Sequence, residues 1–438
     1  MASKTRIAIT TFAVVVISAV AFTPKIIGLG IHDLTINNLV ALIPPQANSQ
    51  ITIEETSFDN GWFSSTATIN ATYTPIGMEA IAVDFDFSIK HGPFVSTNNG
   101  LRLGIAYAEI KPKIAAALPV FETASAVQFP DTLIELFASF SQSLLIRVTV
   151  DPTSHTGTYE EFEFAGLSAS FLARADQSAE LLINIGQLTI RESRNNLDFT
   201  IGGIEVISKS TQINDILAPT SATFSIPSIK SSAPAALAID NILASSQLSA
   251  SSNPNAIQLN QRIAMQSIAG DSPLQSFDWQ LEIDQMQRQL ISDYYDLLTE
   301  LQTQSQVDAQ AAALKINQIS QELSLLVFNN PLVINNLVTA KLYDGIHRAE
   351  LKLRWDGLPM LDNIAALNLN EAIASIDMSL DVSVDFNSVM KSPVAEQVES
   401  FINQGFIVIK KDKISVKATL HNSQLILNGE DIPLDQFF

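Results

Sequence analysis

From Gln50 onward the prevailing pattern in the chain is a period of two. Ile81, Val83, Phe85, Phe87 and Ile89 alternate with Ala82, Asp84, Asp86, Ser88 and Lys90. Ala67, Ile69, Ala71 and Tyr73 alternate in the same way with Thr66, Thr68, Asn70 and Thr72. Successive side chains of a strand point to opposite faces. Such runs therefore specify a sheet with one apolar and one wet face, the mark of antiparallel pairing. The pattern recurs at 167–175, 188–201, 201–207, 222–229, 276–284, 349–355, 376–386, 414–420 and 424–429, with Asp59-Asn60-Gly61, Asn98-Asn99-Gly100 and Arg194-Asn195-Asn196 as turns.

Helical spacing interrupts the alternation in three places. Pro130–Leu145 has Asp131 as a start signal and apolar residues at Leu133, Leu136, Phe137 and Phe140. Met286–Gln302 and Val307–Phe328 form a larger block closed by Asn329-Asn330-Pro331, with Leu290, Tyr294, Leu297 and Leu298 as a stripe. Pro393–Phe406 reads as a short helix between strands. The expected fold class is α+β and β-rich: an N-terminal transmembrane helix, then extended antiparallel β-sheet with a helical insertion.

Lys4 and Arg6 precede an uncharged apolar run, Ile7–Phe22. Its length is near the lower limit for a bilayer span of about 17–25 residues. Positive charge before it and an acidic chain after it predict the N-terminus inside and the bulk outside. Ala19-Val20-Ala21 also reads as a signal-peptidase site, so cleavage is the rival to an anchor. The anchor is favoured because apolar residues resume at once from Ile26 to Leu42 with near-helical spacing, ending at Pro44-Pro45. The expected organisation is a cytoplasmic tip and anchor at 1–25, a stalk helix at 26–46, a β-rich region at 47–250, and a second at 251–438 carrying the helical block 286–328. The Ser- and Ala-rich stretch Ser231–Asn255 is where a boundary would fall; one continuous sheet is the equal alternative.

Composition excludes several classes of function. Lys and Arg total 25 against 45 Asp and Glu, a formal net charge of −20, so a nucleic-acid partner is not expected. There is no cysteine, which removes disulfides, thiolate metal sites and thiol nucleophiles together. No H-E-x-x-H, G-x-S-x-G, phosphate loop or dinucleotide fingerprint occurs. The five histidines, His32, His91, His155, His347 and His421, form no local metal pair. Asp84 with Asp86, and Asp381 with Asp385, read as solvated strand faces. Lys410-Lys411-Asp412-Lys413 reads as a polar turn. No catalytic set, metal or cofactor is expected, and the chain is not read as an enzyme.

Three stretches together resemble the YdgA-like family of Gram-negative envelope proteins. They are Phe58–Tyr73, with Gly61, Phe63, Ser64 and Ser65 opening a strand; Lys90–Phe94, containing His91, Gly92, Pro93 and Phe94; and Asn422–Phe438, with Asn428-Gly429 as a turn. The resemblance implies a single-pass inner-membrane protein facing the periplasm, and a homodimer or other homo-oligomer; it supplies no reaction and no catalytic residues. Parity places His91 on the apolar side of its strand if the strand runs unbroken. The motif then reads as a corner, with His91 capping the core and Phe94 tucking back in. Two roles follow. The first is a lipid or other apolar ligand held on a one-sided sheet, with the chain anchored in the inner membrane through residues 7–23. The second is an envelope scaffold acting through protein contacts.

Overall fold

The computed structural model describes residues 51–60, 64–73, 81–91, 93–114, 130–194, 196–213, 215–232, 236–270, 273–294, 320–321, 323–358, 361, 367–403, 407–410 and 412–434. The anchor and stalk expected at 1–46, Gly61, Phe63 and Gly92 lie outside these residues, as does the side chain of His91. No helix among the described residues is long and apolar enough to cross a membrane. The described residues are β-rich, with a large antiparallel sheet and few helices. It divides into two compact units, Met1–Ile216 and Leu217–Phe438. Ser231–Asn255 lies inside the second unit, where most of it is strand.

The strands of the first unit are β1 (Ile51–Asn60), β2 (Ser64–Tyr73), β3 (Ile81–His91), β4 (Phe94–Thr97), β5 (Gly100–Leu103), β6 (Ala106–Ile114), β7 (Thr132–Ala138), β8 (Leu144–Val150), β9 (Thr153–Thr156), β10 (Glu160–Phe164), β11 (Leu167–Ala173), β12 (Ala179–Ile185), β13 (Leu188–Glu192), β14 (Leu197–Ile201) and β15 (Ile204–Ser210). They pair in the order β1-β2-β3-β6-β7-β8-β11-β12-β15, with a second run β9-β10-β13-β14 and a separate hairpin β4-β5.

Register puts the alternating apolar residues in line. Phe87, Ile110, Ile134, Val148, Ala169, Ile183 and Val206 form one transverse row. This face is covered over β8 and β11. Val148 and Val150 pack with Ala169 under Phe164 of β10, and Ile146, Phe171, Ala173 and Ala179 pack with Ile213. Each large aliphatic side chain buried this way contributes about 1.5–3 kcal/mol.

The opposite face is also covered where the β4-β5 hairpin folds back. Val95 and Tyr107 are both almost fully buried there, and Tyr107 Oη donates to Glu135 Oε1 at 2.5 Å. Lys90 stacks over the Tyr107 ring and Arg102 over Phe137.

Covering β7 on both faces explains one departure from the expected elements. Pro130–Leu145 is not a helix but β7, a turn and the start of β8. A strand buried on both sides carries apolar residues at both parities, and these imitate helical spacing. The turn is fixed by Ser139, Ser141 and Ser143, whose hydroxyls hydrogen-bond to one another, and by Gln142 at φ 57°. The strand β3 does run unbroken to His91, whose backbone pairs with Ala106. Phe94 does not tuck in: it is 64% exposed at the start of β4.

Burial, and then the hydrogen bond to Glu135, push the Tyr107 hydroxyl well above its ordinary value. The neutral form is therefore favoured by folding. Its stabilisation is complete below the unfolded value of about 10 and is lost as pH rises beyond that. We expect Tyr107→Phe to cost about 1–3 kcal/mol at neutral pH and to flatten the loss of stability above pH ~10. Denaturant titrations of both proteins at pH 7 and pH 11 check this; an equal loss in the variant would refute it.

Candidate functional site

The second unit contains β16 (Thr220–Ser231), β17 (Leu237–Ala250), β18 (Ala256–Gly270), β19 (Leu274–Gln287), β20 (Leu332–Leu342), β21 (Gly345–Trp355), β22 (Ile376–Asp385), β23 (Val408–Lys410), β24 (Lys413–His421), β25 (Gln424–Leu427) and β26 (Glu430–Ile432). The strands β16 to β22 and then β24 pair consecutively as an eight-stranded antiparallel meander.

Its register sorts the two faces. On one, Phe224, Ala244, Ile263, Trp279, Val338, Ala349, Val382 and Val416 lie in a single transverse row. A second row on that face runs Leu248, Leu259, Ile283, Ile334, Leu353, Met378, Leu420 and Leu425. Neighbouring strands lie about 4.8 Å apart, so the rows extend roughly 34 Å across the sheet. The apolar parity switches where Asn241 takes φ 52° and donates to Gln266. Ile229, Ile239 and Ile268 continue the opposite parity beyond it.

The other face is wet and internally paired. Arg262 reaches Asp278 at 2.6 Å, Lys352 reaches Glu350 at 2.9 Å, and Lys417 reaches Asp381 at 2.8 Å. Asp278 and Glu350 are held below the ordinary carboxylate range, each chiefly by its hydrogen bond to Arg262 or Lys352. A shallow open cavity of about 360 Å³ on this side is lined by Asn335, Lys352, Arg354, Asp377 and His421 among others. Arg354 binds Asp356 at 2.8 Å and His421 Nδ1 lies 2.5 Å from Asp377. The cavity thus offers paired charges rather than a free anion or cation site.

The apolar face is closed unevenly: Ile257, Ile414 and Ala418 are buried on it, while most of the described residues in the rows between are partly exposed. β17, β19, β20 and β22 contain no fully buried residue, and Ile263 in the first row is 37% exposed. Cover is found at the two ends. At one, Trp355 is buried and its Nε1 donates to the carbonyls of Val327 and Phe328, at the end of helical residues 323–329. Phe328 stacks edge-on against it. At the other end the short helix Phe386–Val389 packs on the β20–β21 turn. Its Ser388 is buried, with Oγ 2.9 Å from His347 Nε2 and the backbone N–H donating to Asp385 Oδ1. A Cβ on Gly345 would collide with Ser388, so this end needs glycine.

Among the described residues, the pairing of Ser388 with His347 comes nearest to a nucleophile and base. Its chemistry is structural. Ser388 Oγ donates to the Asp385 carbonyl, His347 Nε2 also faces the Leu342 carbonyl, and the serine is sealed from solvent. Sequence inspection missed this knot because its members lie on β21, β22 and a one-turn helix.

The other residues singled out from sequence fall as follows. Asp84 accepts from Asn70, and Asp86 binds Thr68 and Lys113 across strands. Asp385 caps the Phe386–Val389 helix. Ser65 is buried in β2, and Ser64 pairs with Lys90. Pro93 accepts from the Gly104 N–H. Asn428 exchanges hydrogen bonds with the Lys417 backbone, and Gly429 at φ 97° completes the β25–β26 turn. The helix expected from Met286 begins only at residue 288, because β19 runs on to Gln287; of its stripe, Leu297 and Leu298 lie outside the described residues. No group of three metal-ligating side chains occurs among the described residues.

The family model for bacterial proteins of unknown function, DUF945, matches residues 4–435, and the chain belongs to that family. No curated relative and no solved structure matches it.

Two substitutions distinguish the closed face from the open one. Ile146→Ala in the first unit should cost about 2–5 kcal/mol. Ile334→Ala, on the open face of β20, should cost about 1 kcal/mol or less. Denaturant melts of the two variants measure the difference; equal losses would mean that the second face is as closed as the first.

Proposed function

We propose that this DUF945 chain is a non-enzymatic, membrane-anchored envelope protein that holds a lipid or similarly apolar ligand on the Leu217–Phe438 sheet. The observation that carries the reading is the one-sided face: rows of apolar side chains across eight strands, most of them half-buried among the described residues, with cover at their ends and along β24. Monomeric soluble proteins seldom leave apolar patches beyond a few hundred Å² uncovered. The resemblance to the YdgA-like envelope proteins and the apolar run at residues 7–23 support placement at the inner membrane with the bulk in the periplasm.

Native mass spectrometry of the chain purified in a mild detergent should show bound lipid. Val338→Glu, which puts a charge in the middle of the first row, should reduce lipid occupancy at least tenfold while circular dichroism stays strand-rich. Lipid-free wild type, or full occupancy in the variant, would sink the reading.

A second reading, a scaffold acting through protein contacts, is favoured by one corner of the first unit. Phe94 and Leu103 are cross-strand partners in the β4-β5 hairpin; with Leu101, Ile105 and Phe140 they are all exposed. Photo-crosslinking from position 101 in cells should then give a discrete adduct, with a second copy or with another envelope protein. Absence of any adduct counts against this surface.

A further inference from the structure

Between the two apolar rows of the second unit lies a third that is not apolar throughout. Cross-strand register places Ser246, Gln261, Leu281, Asn336, Leu351 and Leu380 in one line on the same face. Asn336 lies diagonally next to Trp279, and Trp279 Nε1 donates to Asn336 Oδ1 at 2.8 Å. An indole N–H can only donate. The contact therefore fixes which way the carboxamide points: Oδ1 is occupied by the indole, and the two N–H of Nδ2 are left over. Among the described residues nothing accepts from them. The Gln261 carboxamide, on the far side of Leu281, likewise has no protein partner there.

Asn336 is half-buried among Trp279, Leu281, Val338 and Leu351, and its Nδ2 still meets water while the face is uncovered. Covered by a ligand that offers no acceptor, those donors would lose their water at a cost of roughly 1–3 kcal/mol, whereas leucine there would merely continue the row. A bare hydrocarbon lying on this face would cover Nδ2 and offer it nothing. An acyl chain that carries an ester or amide carbonyl would cover the same apolar rows and accept the hydrogen bond.

We infer that the face takes an acyl amphiphile rather than a plain hydrocarbon, with Asn336 Nδ2 donating to the ligand's carbonyl oxygen, Trp279 holding the amide in register, and Gln261 available to a second polar group. The inference rests on the apolar-ligand reading above and makes it chemically specific.

The test compares methyl palmitate with octadecane, each delivered from cyclodextrin to the full-length protein. Binding is read by displacement of a fluorescent fatty-acid analogue. Wild type should prefer the ester by roughly five- to tenfold, the worth of one net hydrogen bond. Asn336→Leu should bring that ratio close to one. Asn336→Asp, which replaces the donors by a charged acceptor, should abolish the ester preference and raise the affinity for hexadecylamine, measured in the same displacement assay. Trp279→Phe frees Oδ1 and lets the amide turn, so it should reduce the ratio partway. Circular dichroism of each variant confirms the fold. Equal affinity of wild type for ester and hydrocarbon, or an unchanged ratio in Asn336→Leu, overturns the inference and leaves the apolar-ligand reading intact. Failure of both compounds to bind wild type overturns both.

Discussion

The Leu217–Phe438 unit depends on one alignment. Backbone pairing brings Phe224, Ala244, Ile263, Trp279, Val338, Ala349, Val382 and Val416 opposite one another in turn. A slip of one residue anywhere in that series would turn a whole strand over, placing Arg262, Gln280 or Glu350 among the aliphatics. The ion pairs of the wet face guard the register from the other side. Arg262 with Asp278 and Lys417 with Asp381 are within reach only when the strands are in phase. These pairs are largely exposed and each contributes little to stability. Their value lies in the cost of the alternatives.

The same construction gives opposite results in the two units. In Met1–Ile216, Phe164 of β10 and Ile213 lie over the apolar rows, and Ile146, Val148 and Val150 become a conventional core. In the second unit the ends are held by Trp355 and Ser388 while the rows between them stay half-buried. Among the described residues, helix termini and turns hold the ends of that sheet. Its stability rests on backbone ladders and on neighbouring side chains within one layer, so substitutions on the open face can change what it contacts without emptying a core.

Strands were legible where one face is wet. The alternation through Ile81–Ile89 and Ile376–Phe386 gave their extent to within two residues, because each parity meets a single environment. It failed at β7, where Phe137 sits under Arg102 and the β4-β5 hairpin while Ile134 faces the core. Periodicity carries no signal when both environments are apolar. It also could not reveal the parity switch at Asn241, because a positive φ in a strand is a choice of conformation rather than of residue type. The candidate site was visible only in outline. Alternation announced an apolar face, but whether anything lies over it is decided by residues far away in sequence. Asn336 looks from sequence like any polar residue in a strand. Its meaning comes from Trp279, 57 positions away.

The meander pairs each strand with its neighbour in sequence, and this has a consequence for how such a chain can change. The connection from β19 to β20 carries helical residues 288–294 and 323–329, yet the two strands still pair from Leu274 opposite Leu342 to Asp284 opposite Val333. The loops can therefore lengthen without disturbing the ladder. Whole hairpins can be inserted or removed in the same way, since two strands restore both chain direction and face. A sheet of this kind is adjustable in width by whole hairpins, because each added pair of strands obeys the same local pairing rules.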